Sequence, residues 1–414
     1  MINCFYDSYR VLNKVYSEKA FVKQALTETD IELKNKALTT KICYGVLDRD
    51  TELSYYISVL CEKNPKLVIR TILKICFYAI KYLNKKPYAV IDNAVTLTKK
   101  LGKQGASGFV NAVLRKFVSA NLELPKDLDN YLSVKYSYPE FAVNVLLEKY
   151  GDKRTEEIIK QREVKTTLVF YDTDGERYLT EKGVKFQKTP FYNVFLVENF
   201  TRNEDYDKGV YTYQALGSIA ICEIVEPCEK FLDCCSAPGG KSIRLSYKCK
   251  SVTSCDVHEH RVVLINAYKT RMNRQNITER VLDATVFNKE YENAFDGVLI
   301  DAPCSGLGVV NDNPDIKLNR TENSIKELNE TQLKILLNAS KYVKKGGNLY
   351  YSTCSILPLE NENIIKVFLT KNESFYCEEI TSLIPHEKSE KGITFMPDIS
   401  GGLGFYVCKL KRKL

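Results

Sequence analysis

From residue 64 to residue 119 the apolar positions fall three or four apart. Leu67, Ile72, Ile75, Cys76, Ala79, Ile80 and Leu83 form one stripe, and Asn64-Pro65 ahead of it predicts a cap and a first turn. Ala94, Val95 and Leu97 form another over Pro87–Leu101, with Gly102 as its stop, and Ser107 is placed to cap a third helix through Phe117. No alternating run interrupts residues 1–135, so the spacing predicts an all-α bundle. Between about 140 and 220 the pattern changes: a helical stretch ends near Gly151, then come short β-type runs at Thr166–Tyr171, Gly183–Phe186 and Asn193–Val197. This predicts a small α+β connecting subdomain over 136–225. Beyond it, strand-like runs at Phe231–Cys234, Ser251–Cys255, Val281–Leu282, Phe295–Ile300, Asn348–Ser352 and Phe405–Leu410 alternate with helical ones. The helices read as Lys241–Tyr247, His260–Met272, Asn323–Val343 and Asn361–Thr370. Such alternation predicts a parallel α/β sheet with right-handed crossovers over 226–414.

The length of 414 residues supports this three-part division, since one ordinary core does not grow so large. Lys or Arg interrupts every apolar run well short of the ~18 residues of a membrane span. The first residues show no export signal. The fourteen cysteines include no C-x-x-C pair, and there are three histidines (His258, His260, His386). Zinc spacing is therefore absent, and buried thiols in reducing cytosol are expected. The net charge of +8 is unevenly placed. Residues 1–135 hold 22 Lys+Arg against 13 Asp+Glu, and Pro65–Ser119 holds 11 basic residues against the single acid Asp92. That concentration suits a phosphate-binding surface, although a solvated lysine-rich helical face would look the same.

In an open parallel sheet ligands sit beyond the carboxyl ends of the strands. The residues there are Asp233 to Lys241, Asp256, Asp283, Asp301 to Gly306, and Ser352 to Ser355. Within the first group, Cys235-Ser236-Ala237-Pro238-Gly239-Gly240-Lys241 forms a turn that lets backbone approach a ligand, with Lys241 as a cation. On its own such a turn is more often structural. Asp256 suits a ribose diol, though a lone strand-end Asp is usually a helix cap. Cys304 and Cys354, with Asp301 beside them, suit covalent catalysis on a pyrimidine. The sulfur adds to carbon 6, the acid holds N3, and carbon 5 becomes nucleophilic. Two structural thiols are the competing reading.

Asp233–Ser242, Asp301–Gly308, Asn313-Pro314-Asp315-Ile316-Lys317, and Tyr351–Ser355 with Glu360-Asn361-Glu362 resemble the motifs of bacterial RNA cytosine-5 methyltransferases. Gly105–Arg115 resembles the NusB-like N-terminal domain found in the ribosomal small-subunit branch of that family. The resemblance covers nearly the whole chain. It implies a Rossmann-like class I methyltransferase domain with a mostly parallel seven-stranded sheet, behind a NusB-like bundle. It also implies S-adenosylmethionine at Cys235–Lys241, Asp256, Asp283 and Asp301, with Cys354 as nucleophile and Cys304 in product release. The expected substrate is 16S ribosomal RNA, handled by a cytoplasmic monomer with no metal and no membrane contact. DNA cytosine methyltransferases attack from a Pro-Cys, so Thr353-Cys354 favours RNA. Ser236 and Ser242 stand where Ala and Thr are usual, and Asn311-Asp312 where Arg is common, which puts an RNA phosphate contact there in doubt. Transfer RNA as substrate, and an RNA-binding scaffold without activity, are the alternatives.

Overall fold

The computed structural model describes residues 1–160 and 162–414, and the chain divides into two compact units. One comprises residues 1–161 with 313–320, the other residues 162–312 with 321–414.

The first unit is helical: α1 (Ile2–Glu18), α2 (Val22–Glu28), α3 (Leu33–Asp48), α4 (Asp50–Leu60), α5 (Leu67–Lys81), α6 (Pro87–Lys100), α7 (Ser107–Ser119), α8 (Leu128–Tyr136) and α9 (Glu140–Ile159). The stripe on α5 is so apolar that Thr71 through Ala79 are all buried. Phe77 stacks on Phe117 of α7 with centroids 4.0 Å apart. Each such buried side chain contributes roughly 1.5–3 kcal/mol. Local capping differs from the sequence reading. Helix α5 starts after Lys66, which makes no side-chain cap, so Pro65 lies outside it. Ser107 sits inside α7, and its hydroxyl donates back to Gln104 O at 2.7 Å. Gly102 does end α6, with φ +70° and its N–H on Lys99 O. Gly151 breaks α9, but a further helical segment continues to Ile159.

Two of the eleven basic residues of the positive segment are neutralised internally. The buried Lys74 ammonium meets Asp50 at 2.7 Å, and Lys81 meets Glu52 at 2.7 Å. Lys86, Lys99, Lys100, Lys103, Arg115 and Lys116 remain exposed. Residues 313–320 belong to this unit although they follow a strand of the other one. Lys317 donates to Asp48 O and Oδ1 at 2.8 and 3.0 Å, and Asp315 accepts from Val22 N at 3.2 Å.

The second unit opens with an antiparallel sheet of β1 (Thr166–Val169), β2 (Phe186–Lys188), β3 (Val194–Val197) and β4 (Thr212–Tyr213), in the order β2-β3-β1-β4. A nine-stranded sheet follows, made of β5 (Lys230–Asp233), β6 (Ser251–Asp256), β7 (Ile277–Val281), β8 (Phe295–Asp301), β9 (Val343–Thr353), β10 (Phe375–Glu378), β11 (Glu387–Lys388), β12 (Ile393–Phe395) and β13 (Phe405–Arg412). The order is β11-β12-β13-β9-β8-β5-β6-β7, with β10 on β13. Five strands, β7-β6-β5-β8-β9, run parallel; β13 returns antiparallel to β9. Seven strands were expected. The extra ones are short strands of two to four residues, and the third parallel strand lies at 277–281 rather than 281–282. It is an edge strand with Glu279 half-buried and Arg280 exposed, so its apolar signal is thin. From β5 the chain winds one way to β6 and β7, then returns to build β8 and β9 on the other side. The crevice between β5 and β8 is therefore the topological switch point, where ligands bind in such sheets.

Candidate active site

The loop after β5 is held to its neighbour strand. Ser236 donates its N–H and hydroxyl to Cys255 O at 2.8 and 3.1 Å, and Arg261 donates to Ala237 O at 3.1 Å. The Ala237–Pro238 peptide is cis, and Gly239 turns the chain into the helix Gly240–Leu245 at φ +109°, a conformation that favours glycine. Lys241 does not stand free: its Nζ meets Asp301 Oδ2 at 2.6 Å. Burial would push this ammonium down, but the Asp301 carboxylate outweighs it and holds Lys241 above the usual range. Asp301 also accepts from Ser352 Oγ at 2.8 Å.

Three more carboxylates end strands nearby. Asp256 is buried, takes His258 N at 3.2 Å and pairs with Arg261 at 3.3 Å. Asp283 is exposed and accepts from Thr285 N and Oγ1 at 2.8 and 2.6 Å. Asp233 is fully buried. One oxygen accepts from Ser242 at 2.7 Å, and the other, Oδ1, has no hydrogen-bond partner. Desolvation pushes its carboxyl up to about 7, against the Ser242 hydrogen bond, and the Asp301 charge adds to the rise. Burial likewise raises the Cys235 thiol, with Asp233, Asp301 and Asp256 adding to it. These groups thus share one electrostatic neighbourhood, whereas Asp283 makes its hydrogen bonds within its own loop. An orphaned buried oxygen, two acceptor carboxylates and an open glycine turn are the acceptor set that hydroxyl and ammonium groups of a nucleoside amino acid would match.

The two expected thiols do meet: Cys304 Sγ and Cys354 Sγ lie 3.2 Å apart, and Cys354 N–H points at Cys304 Sγ at 3.3 Å. The hydrogen bond to Cys354, then burial, pushes Cys304 well above the usual thiol range. Cys304 therefore keeps its proton and can offer it to the Cys354 sulfur.

A buried frame holds the two loops together, and the sequence did not single it out as a functional unit. Glu360 is fully buried. Its Oε1 accepts from Ser305 N at 2.7 Å and Gln332 Nε2 at 3.1 Å, and its Oε2 from Ser305 Oγ at 2.6 Å and Ser355 Oγ at 2.5 Å. Asn361 accepts from Thr353 Oγ1 at 2.6 Å and donates to Ser355 O at 3.0 Å. Glu360-Asn361 stood out in the sequence as a motif; the available signal was an acid and an amide between Leu357 and Ile364. Arg261, partner of Asp256, carried no such signal. Asn311 serves the backbone: its Nδ2 donates to Gly402 O at 2.7 Å. Among the described residues no group of three or more His, Cys, Asp or Glu could hold a metal ion, and no helix is long and apolar enough to cross a membrane.

Residues 223–411 match the family model described as 16S rRNA methyltransferase RsmB/F, and residues 8–119 match the NusB family model. A Bacillus subtilis protein described as "Probable ribosomal RNA small subunit methyltransferase B" is 29% identical, over 97% of this chain and 96% of that one. The Photorhabdus laumondii ribosomal RNA small subunit methyltransferase B is 28% identical, over 98% and 97%. Among solved structures, that of PH0851 superposes with a TM-score of 0.84 at 21% identity, covering 99% of this chain and 98% of that one. A methyltransferase homolog protein from Pyrococcus horikoshii superposes with a TM-score of 0.60 at 23% identity, over 71% and 100%. At these identities the solved structures establish the fold.

Proposed function

With residues 223–411 forming an RsmB/F-family 16S rRNA methyltransferase domain and residues 8–119 a NusB-family domain, we propose that this chain methylates carbon 5 of a cytosine in small-subunit ribosomal RNA through a covalent adduct to Cys354. The observation that carries the reading is the pair of thiols, 3.2 Å apart on the loops that follow Asp301 and Ser352, two residues joined by a 2.8 Å hydrogen bond.

Asp233, Asp256, Asp283 and the turn Cys235–Lys241 would hold S-adenosylmethionine. When bound, this cofactor supplies an electrophilic methyl group. The chain's own residues prepare the base to receive it. The Cys354 sulfur, as thiolate, adds to carbon 6 of cytosine; the ring's 5,6 double bond opens, and its electrons become available at carbon 5. Asp301 is the acid that would hold N3 of the ring. Its carboxyl group pairs with the Lys241 ammonium at 2.6 Å, and Lys241 is a further N–H acid beside it. After carbon 5 carries the methyl group, its proton passes to a water molecule, the C–H electrons restore the 5,6 double bond, and the carbon–sulfur bond breaks with its electron pair leaving on Cys354. Cys304, still protonated, returns its proton to the departing Cys354 sulfur. Exposed Lys86, Lys99, Lys100, Lys103, Arg115 and Lys116 of the helical unit would neutralise RNA phosphates. The protein acts in the cytoplasm as a monomer.

The two thiols separate by substitution. Cys354→Ala, given RNA and S-adenosylmethionine, should give neither product nor adduct. Cys304→Ala should accumulate a protein–RNA species that survives denaturing electrophoresis. Trapping by Cys354→Ala alone reverses the roles, and full turnover in both variants refutes the mechanism. Bisulfite sequencing of ribosomal and transfer RNA from a deletion strain identifies the substrate.

A further inference from the structure

A cavity of about 560 Å³ lies in the second unit outside everything assigned above. Its walls include Val164, Thr167, Gln214, Leu216 and Leu403. None of Asp233, Asp256 and Asp283 lines it, so it is not the cofactor crevice. Cys304, Cys354 and Asp301 do not line it either. A base under attack must lie about 3–3.5 Å from the nucleophile, so this cavity does not hold the reacting ring.

It is nevertheless next door. Cys354 O accepts from Gly308 N at 2.9 Å, and Gly308 O accepts from Gly404 N at 2.6 Å, one residue from the cavity wall at Leu403. Gly308 is glycine because an added Cβ would lie 2.2 Å from Gly404 O and 2.8 Å from Cys354 O. Cys354, Leu216 and Leu403 also pack into the same apolar cluster.

Apolar side chains share the cavity wall with polar ones such as Lys165, Gln187 and Gln214, and of these Gln214 has an oxygen without a hydrogen-bond partner. Gln214 is 8% exposed, its Nε2 donates to Ser218 Oγ at 3.1 Å, and its Oε1 has no partner. A buried carbonyl oxygen without a partner, on a residue of the wall of a ligand-sized cavity, is an acceptor waiting for an N–H donor. An unstacked nucleobase brings what these walls suit: flat apolar faces and a hydrogen-bonding edge.

We propose that this cavity receives a nucleobase flanking the target cytosine, and that Gln214 Oε1 accepts from its exocyclic amino group. The inference rests on the RNA-methylating reading of the neighbouring thiols. The site prefers adenine or guanine over uracil, whose carbonyl oxygen would face the Gln214 oxygen.

The test uses the full chain and a dye-labelled short RNA with one central cytosine. Each flanking position carries adenine, guanine, uracil or no base, and binding is read by fluorescence anisotropy. At one position the amino-bearing bases should bind about tenfold tighter than uracil or no base, a typical discrimination for one well-made base contact. Gln214→Leu should bring that ratio near one while affinity for S-adenosylmethionine stays unchanged. Gln214→Glu, which retains an acceptor, should keep the preference. Equal binding across the panel in the wild-type chain overturns the proposal, as does a ratio that survives Gln214→Leu. If Gln214→Leu also loses the cofactor, Gln214→Glu decides: a lost preference overturns the proposal. Binding is read without turnover, so failure of methyl transfer would sink the enzymatic reading and leave this one to its own result.

Discussion

Glu360→Gln is the most informative single change, because it keeps the shape of a buried side chain and removes its charge. The carboxylate accepts four hydrogen bonds, at 2.5, 2.6, 2.7 and 3.1 Å, from groups on both cysteine loops and on the helix carrying Gln332. A hydrogen bond to a charged acceptor contributes about 1.5–3 kcal/mol, a neutral one about 0.5–1.5. Weakening four bonds by about 1 kcal/mol each, less the relief of no longer burying a charge, gives a loss of about 2–3 kcal/mol. For a domain of this size that lowers Tm by roughly 6 °C. Glu360→Ala strands Ser305 N–H and the Gln332 amide as well, and should cost about 4 kcal/mol or more. The frame sets where the Cys304 and Cys354 sulfurs sit, and a misplacement of about 1 Å can cost on the order of a hundredfold in rate. Scanning calorimetry and single-turnover methyl transfer to RNA, with cofactor affinity by titration, test this together. Stability and rate should both fall while cofactor affinity holds. Unchanged stability refutes the energetics. Lost stability with unchanged single-turnover rate refutes the positioning argument.

Asp256→Ala should weaken S-adenosylmethionine binding by about 1–3 kcal/mol in a calorimetric titration, and unchanged affinity removes Asp256 from the site. Asp233, raised from 3.8 to about 7 in the folded chain, holds a proton that the unfolded chain has already lost over this window. Its contribution to stability is full below about pH 4 and declines as pH rises to 7, by about 4 kcal/mol in all. Asp233→Asn should remove that decline in urea unfolding measured from pH 4 to 8; an unaltered slope would place the titration elsewhere. Replacing Lys86, Lys99, Lys100 and Lys103 by Gln should flatten the salt dependence of RNA affinity by roughly 0.7–0.9 log units per log unit of salt for each phosphate no longer neutralised. An identical slope would make their charge a solvated face.

Much of the architecture was legible in local pattern. Three-to-four spacing placed α5, α6 and α7, and the strand-helix alternation placed β5, β6, β8, β9 and β13 and so the strand ends where Asp233, Asp256, Asp301, Cys304 and Cys354 lie. Those features depend on neighbours within a turn or a strand, and periodicity records them. Short edge strands such as β7 and β11 left little trace, because an edge strand buries few side chains.

What only the tertiary structure decided involves partners far apart in sequence. The 3.2 Å approach of Cys304 and Cys354 spans 50 residues, and the Lys241–Asp301 pair spans 60. Pairing of Lys74 and Lys81 with Asp50 and Glu52 removed two charges that a count of residues 65–119 had left free. Residues 313–320 read as part of the catalytic stretch, yet they pack with the helices, where Lys317 finds Asp48 across 269 residues. Residue type announces that a thiol, a carboxylate or an ammonium is present. Whether it is charged, paired or open to a ligand depends on the desolvation and the partners that the folded chain brings to it.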